Sequence, residues 1–207
     1  LTPDGNYWRV YNFMEGSKSF DLVGTPERAL QGGKAFGIFH SLTSDFPVPS
    51  LYEVLPGFHD ISLRLEKFRK TVLQNPAGRS ANVVDEISFV EKRASEMQKI
   101  LEMGKAGLIP LRVTHNDTKF NNILFNAANE AISVIDFDTV MPGYVLYDFG
   151  DAIRTGASTA AEDEKDLSKI DINLALFKAY AEGYLGIAAQ TSYIVHTYKN
   201  TVLTLGD

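Results

Sequence analysis

What the 207-residue sequence lacks already excludes several classes of function. It contains no cysteine, so a disulfide framework and a thiolate metal site are both excluded. No apolar run approaches the length of a membrane span, and the first residues do not resemble a signal peptide. Its 20 Lys and Arg residues are scattered and are outnumbered by 26 Asp and Glu residues. Without a basic stripe, nucleic acid is not an expected partner. Without a membrane span or a signal peptide, we expect a cytoplasmic protein that does not bind membranes.

The apolar content, in contrast, is that of an ordinary globular protein. Hydrophobic residues make up 44% of the chain, enough for one large domain or two small ones. The chain begins without Met, directly in an alternating segment over residues 7–13 that predicts a strand, and it stops without a clear terminator. We therefore expect the sequence to be a piece of a longer protein.

Most of the chain is predicted to be helical, with a small β part near the middle. The first helix has a clear start signal, since Thr25 is a good N-cap and Pro26 and Glu27 suit the first turn. Two of the later β segments are separated by a plausible hairpin loop. The predicted helices are 25–42, 61–73, 83–103 and 167–185, and the predicted strands are 111–114, 122–125 and 131–135. The fold class is therefore α+β, and residues 186–207 carry no pattern to which we assign a role.

One short segment carries the chemistry: His115-Asn116-Asp117-Thr118-Lys119-Phe120-Asn121-Asn122. An Asp stands two residues after the His, and an Asn stands five residues after the Asp. This is the spacing of a kinase catalytic loop. The predicted hairpin that follows ends in Ile135-Asp136-Phe137-Asp138, and a kinase loop is likewise followed by two short strands and a metal-binding Asp.

Phosphoryl transfer depends mainly on the placement of charges, which gives these side chains specific roles. Magnesium prefers hard oxygen ligands, so we predict that Asn122 and Asp136 are metal ligands. Asp117 is placed to accept the proton of an attacking hydroxyl and is the predicted catalytic base. Lys119 is either a contact to the transferring phosphate, which we favour, or a solvent-exposed loop lysine.

A literal Asp148-Phe149-Gly150 tripeptide invites a different assignment, because protein kinases hold a metal ion with that motif. It lies thirty-one residues after Asp117, however, beyond a predicted turn at residues 141–143, and no predicted strand pair leads directly into it. We interpret Asp148 as a structural carboxylate that either braces the catalytic loop or caps a helix that begins near Asp151.

These segments together resemble the aminoglycoside phosphotransferase and choline kinase superfamily. The resemblance rests on residues 115–122, 135–138 and 146–154 and covers residues 7–185. The exact residues are most similar to the N-acetylhexosamine 1-kinase branch. They are those of the first segment and, after it, Ile-Asp-Phe-Asp-Thr-Val-Met-Pro-Gly and Tyr-Asp-Phe-Gly-Asp. The resemblance implies a bilobal protein-kinase-like fold, with ATP and Mg²⁺ as cofactors and a small molecule as the acceptor.

The same resemblance assigns parts to the chain. Residues 1–15 would be the last strand of the N-terminal lobe and the hinge, in which Phe13, Met14 and Glu15 meet the adenine. Residues 16–207 would be the helical catalytic C-terminal lobe. No glycine-rich phosphate loop and no paired lysine precede the strand, so we expect an N-terminal lobe that is largely absent and a chain that binds ATP poorly by itself.

The resemblance also gives an acceptor, the anomeric hydroxyl of an N-acetylhexosamine, and leaves alternatives open. A kinase of aminoglycosides, or of choline, ethanolamine or homoserine, would need carboxylates around a cationic acceptor, and Asp138, Asp148 and Asp151 are candidates. A non-catalytic pseudokinase that only binds ligands is the third alternative. The presence of Asp117, Asn122 and Asp136 together speaks against it.

Several residues near these motifs have more than one interpretation. Asp138 is a second carboxylate near the metal, an acceptor from a substrate hydroxyl, or a turn residue. Arg154 faces a sugar or a phosphate, or it forms an ion pair with a neighbouring Asp. The pair of residues 59–60 borders the acceptor, or Asp60 is an N-cap, which we favour. Tyr144 and Tyr147 stack on a sugar or belong to the core.

Overall fold

The computed structural model describes residues 2–6, 8–161 and 163–188, and residue 188 is described by its backbone only. The α-helices are α1 (Pro26–Leu42), α2 (Ile61–Gln74), α3 (Val84–Lys105), α4 (Val145–Gly156) and α5 (Leu174–Ala188). The strands are β1 (Arg112–Thr114), β2 (Ile123–Phe125), β3 (Ala131–Val134) and β4 (Met141–Gly143). Single 3₁₀ turns occur at Val48–Ser50, Ser80–Asn82, Phe120–Asn122, Phe137–Thr139 and Leu167–Lys169. The predicted mixture of helices and small sheets is confirmed.

Two capping side chains fix where the first two helices begin. Thr25 Oγ1 accepts a hydrogen bond of 3.3 Å from the backbone N–H of Arg28, and Pro26 occupies the first position of α1. Asp60 Oδ1 accepts bonds of 2.8 and 3.1 Å from the backbone N–H groups of Ser62 and Leu63, so Asp60 is the N-cap of α2. Both predicted caps are confirmed.

Helices α1 and α5 pack closely at the centre of the fold because glycines let their backbones approach. A methyl group added at Gly33 of α1 would overlap the backbone of Tyr180, and one added at Gly183 of α5 would overlap the carbonyl group of Leu30. Phe36 and Tyr184 are fully buried beside this contact. The core extends from here to α4 and to the β2–β3 hairpin, and it supports the polar segment between β1 and β2.

The two antiparallel strand pairs lie on either side of that polar segment. Strands β2 and β3 form the predicted hairpin, in which Ile123 pairs with Val134. Strand β4 pairs with β1, so the prediction of a turn at residues 141–143 is wrong. Pro142 fits a strand here because a two-stranded sheet has only edges, where a missing N–H is tolerated. Strand β4 leads directly into α4, which also corrects the prediction that no strand pair precedes Asp148.

The start of the chain differs from the prediction. Residues 8–13 form no strand, and Val10 and Phe13 are 94% and 86% exposed. A strand exists only through backbone bonds to a neighbour, and among the described residues the first pairing is the bridge between Lys18 and Phe125. Alternation alone therefore did not make this segment a strand.

The last helix begins later than predicted. Asn173 Oδ1 accepts hydrogen bonds of 3.0 and 3.2 Å from the backbone N–H groups of Ala175 and Leu176, which starts α5 at Leu174. The backbone before it is held instead by a bond of 3.0 Å from Thr159 N–H to the carbonyl oxygen of Asp171. Residues 189–207 of the predicted catalytic lobe lie outside the described residues. No described helix is long and apolar enough to cross a membrane.

Candidate active site

The segment that follows β1 presents one acidic side chain between buried neighbours. His115, Asn116 and Thr118 are buried, whereas the side chain of Asp117 is 28% exposed. Asn116 has a φ of +65°, in the left-handed region that Asn tolerates better than most residues. The backbone thus turns immediately before Asp117 and leaves its carboxylate within reach of solvent.

Asp148 fixes the backbone of this turn. Its Oδ2 accepts a hydrogen bond of 2.7 Å from the N–H of His115, and its Oδ1 accepts one of 2.8 Å from the N–H of Asn116. The side chain is 1% exposed, and bonds of this kind from N–H to an ionised carboxylate are strong. The predicted bracing role is confirmed. The alternative of a helix cap near Asp151 is wrong, because α4 begins at Val145.

Further anchors of the same segment were not identified from the sequence. Thr118 N–H donates to Asp151 Oδ2 at 3.0 Å, and the Thr118 hydroxyl donates to the carbonyl oxygen of Asp148 at 2.7 Å. The Thr139 hydroxyl donates to the carbonyl oxygen of His115 at 2.6 Å. These partners are separated by more than twenty residues, so only the folded chain reveals them.

The structure brings three of the predicted site residues together. Asn122 Nδ2 donates to the backbone carbonyl oxygen of Asp117 at 2.8 Å and lies 3.3 Å from Asp117 Oδ2. Lys119 Nζ lies 3.5 Å from Asp117 Oδ1. Because the amide nitrogen of Asn122 faces Asp117, its amide oxygen is directed away and remains a potential cation ligand.

The hairpin register brings the fourth residue close. The carbonyl oxygen of Asn122 accepts a bond of 2.9 Å from the N–H of Ile135, and Asp136 is the next residue. His115 supports this point, since its Nε2 lies 2.9 Å from the carbonyl oxygen of Ile135. Asp136 has a φ of +65°, and its exposed carboxylate has no hydrogen-bond partner among the described residues. The two carboxylate oxygens of Asp136 are thus available to bind a cation.

These oxygen donors fit a magnesium ion. The amide oxygen of Asn122 and the carboxylate of Asp136 are hard ligands, and Mg²⁺ commonly takes one or two protein ligands and completes its shell with phosphate and water. Within the described part of the chain there is no group of three or more His, Cys, Asp or Glu side chains suited to hold a metal alone. The donor set therefore suits an ion that arrives with a phosphate ligand.

The two predicted substrate residues each have a partner in the protein. Asp138 lies in the turn Phe137–Thr139 and forms a surface ion pair with Arg9. Arg154 forms an ion pair with Asp151, with Nη2 and Nε at 2.8 and 3.1 Å from Oδ1. The ion pair of Arg154 with Asp151 is one of the two alternatives that the sequence left open for Arg154. The pair with Arg9 joins residues 129 positions apart and could not be read from a local motif.

The three residues assigned to adenine lie on an exposed segment. The side chain of Phe13 is 86% exposed and that of Met14 is 40% exposed, and Glu15 is exposed as well. The backbone carbonyl of Met14 accepts bonds from the N–H and the hydroxyl of Ser17, which form a tight turn. The segment then joins β2 through the bridge between Lys18 and Phe125. Their contact with a nucleotide remains a prediction.

Two clefts flank residues 115–122. One, of 610 Å³, is lined by Lys119, Asn121 and Arg154 among others. The other, of 320 Å³, lies beside Asn116. Its wall contains four of the residues that had more than one interpretation from sequence: His59, Asp60, Tyr144 and Tyr147. Burial, together with Tyr144 and Asp60, raises the pKa of the Tyr147 phenol to about 12.

A family comparison agrees with this arrangement. The model of the family described as "Phosphotransferase enzyme family" matches residues 2–188. The match spans the described part of the chain and includes every residue assigned to the site. It supports the aminoglycoside phosphotransferase and choline kinase superfamily, and it does not distinguish the branches within it.

Proposed function

The chain belongs to the phosphotransferase enzyme family, and we propose that it transfers the γ-phosphate of Mg-ATP to the anomeric hydroxyl of an N-acetylhexosamine. Family membership makes it a kinase-type phosphotransferase. The roles of individual residues and the identity of the acceptor are our proposal.

The observation that carries the proposal is the way Asn122 joins the other two residues. Its side-chain amide holds the backbone of Asp117 at 2.8 Å, and its carbonyl oxygen accepts the N–H of Ile135, immediately before Asp136. A candidate base and two candidate metal ligands therefore share one rigid support. A chance collection of polar surface residues would not be linked by the backbone in this way.

The proposed step uses Asp117 as the base. The acceptor O–H approaches the γ-phosphorus, and the new P–O bond forms as the bond from that phosphorus to the β,γ-bridging oxygen breaks. ADP leaves with the electron pair of that bond, and the hydroxyl proton passes to the Asp117 carboxylate. Lys119 Nζ, 3.5 Å from Asp117 Oδ1, carries a positive charge beside this carboxylate and is assigned to the transferring phosphate.

Asn122 and Asp136 are the residues assigned to the metal. A bound Mg²⁺ supplies charge neutralisation and orientation of the phosphate oxygens. The backbone of residues 13–15 is assigned to the adenine, as the resemblance implies.

The carboxylates disfavour a cationic acceptor. Asp148 is used to hold the N–H groups of His115 and Asn116. Asp151 accepts from Thr118 and pairs with Arg154, and Asp138 pairs with Arg9. Of the three carboxylates that a cationic acceptor would need, Asp148 is buried and holds the loop, Asp151 is largely buried and paired, and Asp138 forms a surface ion pair. A neutral sugar needs no such charge, which supports the N-acetylhexosamine alternative.

The test is magnesium-dependent ADP release by the protein purified from its complete natural reading frame. The acceptor panel is N-acetylglucosamine, N-acetylgalactosamine, choline, homoserine and an aminoglycoside. Turnover with an N-acetylhexosamine supports the proposal. Turnover with a cationic acceptor alone would keep the mechanism and overturn the acceptor. If no acceptor is turned over while ATP binds, a ligand-binding module explains the protein better.

A further inference from the structure

A buried polar chain behind the active site involves a histidine to which no role has been assigned. His40, on the last turns of α1, is 3% exposed, and its Nε2 lies 2.8 Å from Asp148 Oδ2. Its Nδ1 lies 2.6 Å from the hydroxyl of Tyr184 on α5. Asp148 and Tyr184 are also buried, so all three side chains of this hydrogen-bonded series are shielded from water.

The chemistry of the carboxylate fixes the direction of one bond. An ionised carboxylate can only accept, so His40 Nε2–H donates to Asp148. The same carboxylate accepts the backbone N–H groups of His115 and Asn116. One buried acceptor thus joins helix α1 to the two peptide groups that immediately precede Asp117.

We propose that His40 is a positioning residue for the catalytic loop, acting through Asp148. The imidazole holds the Asp148 carboxylate in the orientation that receives both loop amides, and Tyr184 holds the imidazole. Without the Nε2–H donor, the carboxylate loses one of its three partners and can rotate, and the turn at Asn116 loses its support. As far as turnover is concerned, this inference rests on the proposed function.

A matched pair of variants separates this role from simple packing. His40→Gln keeps an N–H donor near the position of Nε2, whereas the shorter His40→Asn keeps polarity near Nδ1 and loses the donor to Asp148. Both replace a buried ring with an amide, but asparagine leaves a larger cavity than glutamine. The general loss of packing is therefore measured at an amide far from the site and subtracted. Tyr184→Phe removes only the hydroxyl that orients the ring.

The first readout is amide hydrogen exchange at His115 and Asn116, which requires no enzymatic activity. In His40→Asn these two amides should exchange about 10-fold or more faster, relative to a reference amide at Leu65 in α2, because a buried bond network has lost a partner. In His40→Gln they should stay close to the wild-type rates. Tyr184→Phe should accelerate the same two amides by a smaller factor.

The second readout is steady-state kinetics. Displacement of Asp117 should lower kcat by about 10- to 100-fold in His40→Asn, with the KM for ATP little changed. His40→Gln should recover most of the loss. A merely structural histidine would lower the amount of folded protein and leave kcat per folded molecule unchanged.

The outcomes separate the two proposals. Selective acceleration at His115 and Asn116 in His40→Asn, restored by glutamine, supports the positioning role even if no acceptor is turned over, in which case only the proposed function fails. Equal rates at these amides and at Leu65, or equal damage by both substitutions, would overturn it. If His40→Asn does not fold, Tyr184→Phe decides: unchanged exchange at the two amides overturns the inference.

Discussion

The side-chain amide nitrogen of Asn122 donates a hydrogen bond of 2.8 Å to the backbone carbonyl oxygen of Asp117. This bond commits the nitrogen end of the amide to the loop and turns the oxygen end away from it. The carbonyl oxygen of the same residue receives Ile135 N–H, which brings Asp136 to the same place. A single asparagine, itself a candidate metal ligand, therefore connects the candidate base with Asp136, the other candidate ligand.

Asp136→Asn should raise the magnesium concentration needed for half-maximal activity by about 10-fold or more, because a charged hard ligand is replaced by a neutral one. The exposed carboxylate has no hydrogen-bond partner among the described residues, so thermal stability should change little. Magnesium titrations of ADP release check this. Glu66→Gln, at an exposed position of α2, is the control and should leave the requirement unchanged. An unaltered titration for Asp136→Asn would remove Asp136 from the metal site.

Asp148→Asn should destabilise the fold strongly. The carboxylate accepts from two backbone N–H groups and from His40, and an amide must turn its own NH₂ group toward one of these donors. Breaking a buried charged network costs about 3 kcal/mol or more of the free energy of unfolding. Urea denaturation measures it, with Glu66→Gln expected within about 0.5 kcal/mol of wild type. A similarly small change in Asp148→Asn would show that the brace is dispensable.

Gly33→Ala should weaken the central helix pair. The added methyl would overlap the backbone of Tyr180, and since backbone cannot move aside as a side chain can, α1 and α5 must separate. We expect a loss of about 1–3 kcal/mol in the free energy of unfolding. Gly186→Ala is the matched control in α5, because its methyl meets nothing within 4 Å. It should be neutral or stabilise by up to about 1 kcal/mol through helix propensity. Equal effects of both substitutions would contradict the close approach.

Tyr147 should titrate at an unusually alkaline pH. Its pKa is raised from 10.0 to about 12, first by burial. The unfolded state then loses the proton before the folded state does, so this contribution to stability is present below pH 10 and is lost as pH rises toward 12. Tyr147→Phe should lose less stability over that interval, as measured by urea midpoints. A wild-type phenol that ionises near its ordinary pKa in ultraviolet titration would refute the burial.

Local sequence signals predicted the helices and the hairpin well. Thr25 and Asp60 cap as expected because an N-cap acts on backbone groups two or three residues away. The sequence places the start of α5 too early, because the acidic residues at positions 162–166 suit a helix start at residue 167, whereas the N-cap is Asn173. The pairing of β4 with β1 was missed because its partner lies about thirty residues earlier and Pro142 argued for a turn.

In the candidate site, too, local contacts could be predicted from the sequence and long-range contacts could not. The spacing within residues 115–122 predicts that Asp117 and Asn122 belong together, and the structure joins them. The ion pair of Asp138 with Arg9 and the hydrogen bond of His40 with Asp148 join elements far apart in sequence, so no local pattern predicts them. The family match extends the inference to a class of reaction, whereas the acceptor depends on side chains that only a bound ligand would identify.

The most direct test of the central claim is Asp117→Asn, assayed for transfer of the γ-phosphate from Mg-ATP to the acceptor that the panel identifies. The substitution keeps size and polarity and removes the base. We expect kcat to fall by about 10²–10⁴-fold while the KM for ATP and the thermal midpoint stay close to wild type. A variant that keeps kcat within about threefold of wild type would contradict the assignment of Asp117 as the catalytic base.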